Sequence, residues 1–496
     1  MPTQYVPPVT WVDSREDMAL FIQHVRRTRE CALDTETTGL DRRSDNVVIW
    51  SACPDIDSRY CFSREMLEIF DEELSQDLEI TWYFTNQTFD FNMMANSGCR
   101  VPEGDCFCTL AMDWLVDENR QGAHGLKETA KDYLDFNMRP FKEAFRGKNR
   151  GETIPERIKR GLEEDFDGAI AYSSLDAWAT FRVFHALRER LQAELNLDGE
   201  SLWDYFVEVE MPFTRVLYNC CRRGIMVDTG YLEDMIPTID SEMLEIHKKI
   251  NKINGAELNL KSTPQLRKLL FDKLKLRVVK MTKGGESGVR HPSTDEECLN
   301  TWAGEGVEVA QLMVKYRELG KILGTYIKGL IKWADRDLRV HPTLTQHVTV
   351  TGRLSSVDPN LQNIPRPDGD RFGIRSSFIP KGGHVFIVAD YEQLEMRLMA
   401  HYSQDKNMIG VINRGWDIHT GTASLMYGYD YDDIIAAIKH KKLNARLQEE
   451  QLPFEPLAKL EEDMIFSRQA SKTIGFGQQT GRSKTCSKRG NLSAFN

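Results

Sequence analysis

The sequence has little of what marks secreted, membrane or disulfide-stabilised proteins. No stretch of its 496 residues approaches the roughly 20 consecutive apolar residues that a membrane helix needs. Residues Met1–Thr10 lack the apolar run of a signal peptide. The ten cysteines form no CxxC pair, which disfavours a zinc site or a redox motif. We therefore expect a cytoplasmic protein with reduced thiols and no membrane partner.

Positive charge is also scarce overall, because the formal net charge is −11. This deficit argues mildly against a nucleic-acid partner. Net charge is a poor guide, however, when acidic residues gather at metal sites and basic residues gather elsewhere. Residues 247–290 are locally basic. They form either a solvated helix face or a phosphate-tracking surface, and composition leaves both alternatives open.

The length predicts two or more domains, since single cores rarely grow beyond roughly 250–300 residues. Apolar runs and helical periodicity predict an α/β domain that ends near residue 200, with a charged, poorly periodic excursion at 138–167. The elements predicted in this domain are strands at 31–33, 47–52 and 80–84 and helices at 89–95 and 169–191. Beyond it we predict helices at 207–223, 232–254 and 307–333, a turn-rich segment at 351–367 and a buried strand at 384–389.

Two carboxylates, Asp34 and Glu36, end the first apolar strand. Because side chains alternate along a strand, both point to the same face of the sheet. Two negative charges so near each other imply either a divalent cation between them or a raised pKa of one carboxyl group. Alone, such a tripeptide is most often just an exposed strand end.

Further segments change that interpretation. Asn86–Asp90 follows the third strand, and Tyr172 and Asp176 share one helix face at i, i+4 spacing. With Asp34 and Glu36, these segments resemble the three exonuclease motifs of the proofreading domains of family A and family B DNA polymerases. The segments Asp113–Asn119 and His124–Lys127 resemble the stretch between the second and third motifs.

This resemblance implies a ribonuclease H-like α/β fold and 3′–5′ hydrolysis of single-stranded DNA. Two Mg²⁺ or Mn²⁺ ions, roughly 3.5–4 Å apart, would hold the attacking and leaving oxygens of the phosphodiester. By the resemblance, Asp34, Glu36, Asp90 and Asp176 hold these metals, and Tyr172 orients the attacking water. No part of the family pattern is missing here.

A second set of motifs follows in the second half of the chain. Thr351–Ser356 and Pro359–Pro365 resemble a signature of the bacterial DNA polymerase I family. The resemblance implies that three residues contact the primer–template, namely Arg353, Gln362 and Asn363. Val388–Arg397 resembles motif A of the same family, and Asp417–His419 continues the likeness.

In motif A, the resemblance implies that Asp390 binds both catalytic metals. Glu395 would crowd the sugar 2′ position and so favour deoxynucleotides. Glu392 departs from the commonest family residue, a serine, which we expect to alter local packing and not metal binding.

Arg468, Lys472 and Phe476 are spaced i, i+4, i+8, along one helix face. That face resembles the fingers helix on which family A polymerases bind the incoming dNTP. Arg468 and Lys472 would neutralise phosphate charge, and Phe476 would stack near the base.

The likeness stops after Gly477. The last 20 residues contain no Asp or Glu, and the family's motif C, a His-Asp-Glu that supplies a second metal-binding Asp, is not found. We therefore expect a polymerase truncated within the fingers, whose missing motif C comes from a second polypeptide. A split gene, a frameshift and an unspliced intron all remain open as its origin.

The sequence thus predicts an α/β ribonuclease H-like exonuclease domain at 1–200, followed at 201–477 by a partial α+β right-hand polymerase domain with thumb and incomplete palm and fingers. A basic tail at 478–496 lies outside the family pattern. The chain is identified as a replication protein of phage or bacterial type, in the host cytoplasm if viral, that is competent as an exonuclease and incomplete as a polymerase. The alternatives are an exonuclease with a DNA-binding remnant and an inactive fragment.

Overall fold

The computed structural model describes residues 5–120, 124–147, 151–196, 198–284, 288–449, 453 and 455–479, with the backbone alone for 368, 448–449 and 472–479. The chain forms two compact units, residues 1–385 and 386–496. Each is described by itself.

A six-stranded sheet forms the centre of the first 200 residues, with strand order β1-β4-β3-β2-β5-β6. The strand β2 lies in its interior, antiparallel to β3 and parallel to β5. The apolar sequence of β3 has no polar alternation, as expected for a strand covered on both faces. The strands are β1 (Val9–Val12), β2 (Glu30–Thr37), β3 (Val47–Cys53), β4 (Arg59–Ser63), β5 (Thr81–Phe84) and β6 (Cys106–Cys108).

Helices cover this sheet, and the longest of them packs against β1, β2, β3, β4 and β5. The predicted strands and helices of this domain are confirmed. The helices are α1 (Arg15–Thr28), α2 (Met66–Glu73), α3 (Gln87–Asn96), α4 (Thr109–Val116), α5 (Leu126–Leu134), α6 (Phe141–Ala144), α7 (Ile154–Glu164) and the long α8 (Phe166–Ala193).

The predicted excursion at 138–167 is wrong, because α6 and α7 pack back onto the domain. Ile158 is fully buried and belongs to a cluster with Ile49 and Ile170. The apolar residues of α7 lie at 154, 158 and 162, one face of a helix. Charged residues between them dominate the composition and hide this stripe.

Residues 201–385 form a helix-rich region with its own core, which includes Trp302, Met313 and Ile327. Three π-helical turns interrupt its helices at Phe206–Glu210, Lys268–Lys273 and Ile322–Ile327. The predicted helices are confirmed, and the turn-rich segment contains only short elements. The elements are α9 (Leu202–Tyr205), α10 (Met211–Arg223), β7 (Ile225–Val227), α11 (Thr229–Asn254), α12 (Thr263–Arg267), α13 (Glu296–Gly304), α14 (Glu308–Lys321), α15 (Lys328–Trp333), β8 (Arg339–Val340), β9 (Thr343–Thr345), β10 (Ser355–Val357), β11 (Phe378–Ile379) and 3₁₀ turns at Leu361–Asn363, Pro367–Gly369 and Ile374–Ser377.

The second unit is helical in its described part and has a small core of Ala423, Ile434, Ala437 and Met464. Most residues predicted as a basic tail lie outside the described residues. Its helices are α16 (Leu394–Ser403), α17 (Lys406–Asn413), α18 (Ile418–Tyr427), α19 (Tyr431–Glu449) and α20 (Lys459–Gln479).

The buried strand predicted at 384–389 is wrong. These residues form no strand and pair with no strand of the described chain. Ile387 and Val388 are 91% and 90% exposed. The apolar pattern is suited to a strand, but a strand is stabilised by ladder hydrogen bonds and side-chain packing with neighbours. Without these neighbours the apolar side chains have nothing to pack against.

Candidate active site

The fold of the first domain brings four acidic residues together. Asp34 and Glu36 project from β2, Asp90 lies in the first turn of α3, and Asp176 lies in the middle of α8. Since α3 follows β5, the parallel neighbour of β2, and α8 packs across the sheet, these elements converge on the end of β2. Burial, and then the nearby negative charges of Asp176, Asp90 and Glu36, raise the pKa of Asp34.

Burial is the main reason that these carboxyl groups hold their protons more tightly than usual. Burial and then the Asp176 charge raise the pKa of Glu36 to about 8. Burial raises the pKa of Asp90 to about 7, although the Thr35 hydroxyl donates to it at 2.7 Å. Burial likewise raises the pKa of Asp176 to about 6. The cluster is therefore electrostatically unfavourable when all four groups are ionised.

The four side chains form a donor set that suits a divalent metal ion by its chemistry. All four residues offer carboxylate oxygens, the ligands that Mg²⁺ prefers. The Oδ1 atom of Asp176 is buried without a hydrogen-bond partner, so it has an unused acceptor. Within the described residues, no group of three or more acidic, histidine or cysteine side chains yet encloses a point where an ion could sit. The residues fit a hard divalent cation by chemistry, and their side chains must adjust to hold one.

Tyr172 lies one helical turn before Asp176 on the same face of α8. It is 7% exposed and packs edge-to-face against Phe145, with ring centroids 5.4 Å apart. Burial and the Asp176 charge raise the pKa of the Tyr172 phenol, so its hydroxyl keeps its proton. A protonated phenol beside carboxylates can orient a water molecule by hydrogen bonding.

Two basic residues with no predicted role complete this environment. The Lys127 ammonium donates to the Tyr172 hydroxyl at 3.4 Å, and it lowers the pKa of Asp34, Glu36 and Asp176. Arg42 lowers the pKa of Asp90 in the same way. Lys127 lies in the motif-like segment His124–Lys127, for which the sequence predicted no role, and Arg42 lies in no predicted motif. The packing of α5 and of the loop after β2 reveals their effect on the carboxylates.

A buried network fixes the segment that carries Lys127. The carboxylate of Asp113 has no exposed side-chain surface and accepts hydrogen bonds from His124 at 2.7 Å and Arg120 at 2.8 Å. The Tyr133 hydroxyl donates to the same carboxylate at 2.5 Å. These contacts join α4 to both ends of α5. The motif stretch 113–127 therefore has a positioning role that the sequence did not specify.

The three predicted DNA contacts lie on an exposed loop. Arg353, Gln362 and Asn363 are all exposed. Gln362 donates to the Leu354 carbonyl at 2.8 Å, which ties the two parts of the signature together. In the basic stretch 247–290, Lys248 and Lys280 pair with acidic neighbours, so part of it forms an ordinary solvated surface.

In the second unit, the predicted polymerase residues are not assembled into a buried site. Asp390 and Glu395 are exposed. Arg468 donates to Asp417 at 3.2 Å and to the Thr420 hydroxyl at 2.9 Å, so its guanidinium already has an anionic partner. Lys472 and Phe476 belong to the helix α20, but their side chains lie outside the described residues.

Within the described residues, no helix combines the length and the hydropathy of a membrane-spanning segment.

Two family models match separate parts of the chain. Residues 9–192 match the model for the 3′–5′ exonuclease, and residues 229–442 match the model for DNA polymerase family A. Together they span both sets of predicted motifs up to residue 442.

Several bacterial proteins are similar to this chain. DNA polymerase I of Bacillus subtilis is 36% identical over 376 residues, which are 75% of this chain and 40% of that protein. DNA polymerase I of Pseudomonas aeruginosa is 29% identical over 436 residues, which are 84% of this chain and 46% of that protein. The chain thus spans less than half the length of these relatives.

A solved structure shares the fold. The POL domain of Pol1 from M. smegmatis, in complex with DNA primer-template and dNTP, matches with a TM-score of 0.68 and 21% identity. The match covers 95% of this chain and 80% of that one. At this identity the likeness supports the fold alone.

Proposed function

Because the chain belongs to DNA polymerase family A and carries a 3′–5′ exonuclease domain of known family, we propose that residues 9–192 hydrolyse single-stranded DNA from its 3′ end. The observation that carries this proposal is the cluster of Asp34, Glu36, Asp90 and Asp176 beneath Tyr172. Neighbouring carboxylates, one buried and three half-buried, with an unpartnered oxygen favour a site that binds cations.

Asp34, Glu36, Asp90 and Asp176 would hold the Mg²⁺ or Mn²⁺ ions, two per site. Such ions, when bound, polarise the phosphate and lower the pKa of a water molecule. Tyr172 orients the attacking water through its hydroxyl. Lys127 favours the ionised form of the carboxylates, which offsets part of the rise in their pKa values, and it donates to the Tyr172 hydroxyl. Phe145 packs edge-to-face against the Tyr172 ring in a small buried cluster.

A second function, DNA synthesis during replication, is favoured by the motif A likeness and by the exposed loop 351–365. We propose that Arg353, Gln362 and Asn363 contact the primer–template. Glu395, Arg468, Lys472 and Phe476 would then face the dNTP, and Asp390 would bind the metals.

The 496-residue polypeptide alone, however, should not extend a primer. Asp390 lies on an exposed segment that pairs with no described strand, and Arg468 is held by Asp417. We propose that DNA synthesis needs motif C, which would supply strands for this segment and a further carboxylate. The relatives named above are bacterial, and a phage origin stays a prediction.

The exonuclease proposal is tested with a 5′-labelled single-stranded oligonucleotide. We expect the purified chain to shorten it from the 3′ end with Mg²⁺ or Mn²⁺, and EDTA to stop the reaction. The Asp34→Ala protein should be folded by circular dichroism and inactive. Undiminished hydrolysis by Asp34→Ala, or hydrolysis in EDTA, would contradict the assignment.

A further inference from the structure

An arginine-lined cavity of about 300 Å³ lies between α3 and the segment from Asp335 to Leu344. One wall is the face of α3 that carries Thr88, Asn92 and Asn96. The other walls are the end of α10, the loop after β2 and the segment from Asp335 to Leu344. We call this space the arginine cavity.

Five arginines and two aspartates line the arginine cavity, which gives it a formal surplus of three positive charges in a chain whose net charge is −11. These residues are Arg42, Arg43, Arg222, Arg223, Arg339, Asp335 and Asp337. Guanidinium groups this close repel one another unless anions offset them. The cavity therefore concentrates positive potential against the charge of the whole molecule.

Most of these arginines have neutral partners. Arg43 pairs with Asp335 at 2.9 Å. By contrast, Arg42 donates to the Thr88 hydroxyl at 2.8 Å and Arg222 to the Asn96 amide oxygen at 2.7 Å. Arg339 donates to the backbone carbonyls of Arg223 and Gly224. Such contacts orient a guanidinium group and leave its charge available to an anion.

One lining residue connects the arginine cavity electrostatically to the proposed exonuclease site. Arg42 lines the cavity and acts electrostatically on Asp90, although Thr88 and Asn92 lie on the face of α3 opposite Asp90. Its volume is at the lower end of small-ligand pockets, which suits one nucleotide unit and excludes a double helix. Arginine is the side chain best matched to phosphate oxygens.

We propose that the arginine cavity binds a nucleotide phosphate of the DNA strand whose 3′ end is hydrolysed. This inference rests on the proposed exonuclease function for the identity of the strand. Arg222 and Arg223, exposed at the end of α10, contact the phosphate, and Arg42 is the boundary between the cavity and the carboxylates. The ligand's phosphate is either a backbone diester or the monoester of a free nucleotide.

The test measures binding of a fluorescein-labelled oligothymidylate by anisotropy, in EDTA so that no hydrolysis occurs, over a series of KCl concentrations. The variant is R222Q/R223Q. The matched control is R26Q/R27Q, which removes the same charge from the last turn of another helix. Loss of two phosphate contacts should reduce the slope of log K against log[KCl] by about 1.4, because each single-strand contact contributes about 0.7.

We expect this reduction in R222Q/R223Q and an unchanged slope in R26Q/R27Q. A charge-preserving variant, R222K/R223K, should restore most of the slope. Each of three results would overturn the proposal. These are equal slopes in all proteins, equal losses of slope in both glutamine variants, and a loss of slope that the lysine variant does not restore. If dTMP displaces the oligonucleotide from the wild type and not from R222Q/R223Q, the ligand is the monoester. If dTMP displaces it from neither, the ligand is the diester.

The two proposals fail separately. Binding in EDTA is independent of catalysis, so a chain that binds as expected and does not hydrolyse DNA would contradict the proposed function alone. If the chain hydrolyses DNA and the R222Q/R223Q protein binds the oligonucleotide with full affinity, only the proposal for the arginine cavity is contradicted.

Discussion

Two aspartates in this chain follow short apolar runs, and their surroundings differ completely. Asp34 ends the run Cys31–Leu33 in β2, which has strand neighbours on both sides and helices packed on the sheet. Asp390 follows the run Val385–Val388, which is exposed and forms no strand. A similar local pattern gives a half-buried carboxylate in one place and an exposed one in the other. The difference comes from the neighbouring strands and not from the run itself.

The largest expected contrast is in catalysis. Asp176→Asn should lower the rate of 3′–5′ hydrolysis by roughly 10²–10³-fold, the scale of losing one electrostatic contact to the transition state. Asp390→Asn should leave that rate unchanged, because the nuclease residues all lie in the first domain. Single-turnover hydrolysis of a labelled oligonucleotide measures both. A loss of hydrolysis rate in Asp390→Asn as large as that in Asp176→Asn would contradict this prediction.

The second contrast is in stability. Ile158→Ala removes a fully buried side chain and should lower the free energy of unfolding by about 2–4 kcal/mol. Ile387→Ala removes a side chain that is 91% exposed and should change it by less than about 0.5 kcal/mol. Urea denaturation followed by circular dichroism compares the two. A large loss in Ile387→Ala would show that residues 385–389 are covered in solution.

These elements also show what the sequence could predict. The strands β2, β3 and β5 and the helices α3 and α8 were predictable, because their apolar runs are packed as their periodicity requires. The helix α7 was missed because charged residues separate Ile154, Ile158 and Leu162. The strand at 384–389 was predicted wrongly, since pairing depends on distant segments that a local pattern does not contain.

The residues of the candidate site were likewise predictable from the sequence only in part. The four carboxylates and Tyr172 were accessible through their motifs, while Lys127 and Arg42 act through space from elements with no fixed spacing to β2. The pairing of Arg468 with Asp417 was likewise invisible, since 51 residues separate the two. Long-range electrostatic partners depend on how elements pack, which sequence spacing alone does not specify.

A third prediction concerns Lys127 and has a pH signature. Removing its charge in Lys127→Met should raise the pKa of Glu36 further above its present value of about 8, because an opposite charge no longer favours the ionised form. The protonated fraction at pH 7 rises, so the hydrolysis rate should fall by about tenfold. The deficit should shrink at pH 9, because a larger fraction of the Glu36 carboxyl group is then ionised in both proteins.

Lys131→Met is the matched control, since Lys131 is exposed one turn later on α5. Its rate should equal that of the wild type at both pH values. A deficit in Lys127→Met that is the same at pH 7 and pH 9 would mean that Lys127 acts only by holding Tyr172.

The smallest expected effect is on acid stability. Burial, with the nearby positive charges of His124 and Arg42, lowers the pKa of His347 to about 4. The unfolded chain therefore binds more protons at this residue between about pH 6.5 and pH 4, and the folded state loses stability as the pH falls through that window. His347→Gln should reduce the fall in Tm between pH 7 and pH 4. His384→Gln, at an exposed position, should not.

One reaction shows directly whether the polypeptide shortens a primer or extends it. The purified 496-residue polypeptide is incubated with a 5′-labelled primer on a longer template, Mg²⁺ and all four dNTPs, and the products are separated on a sequencing gel. We predict a primer that becomes shorter and never longer, and no change in its length with the Asp34→Ala protein. Extension by Asp34→Ala that disappears in Asp34→Ala/Asp390→Ala would contradict the account, because it would show a working polymerase site on the exposed segment.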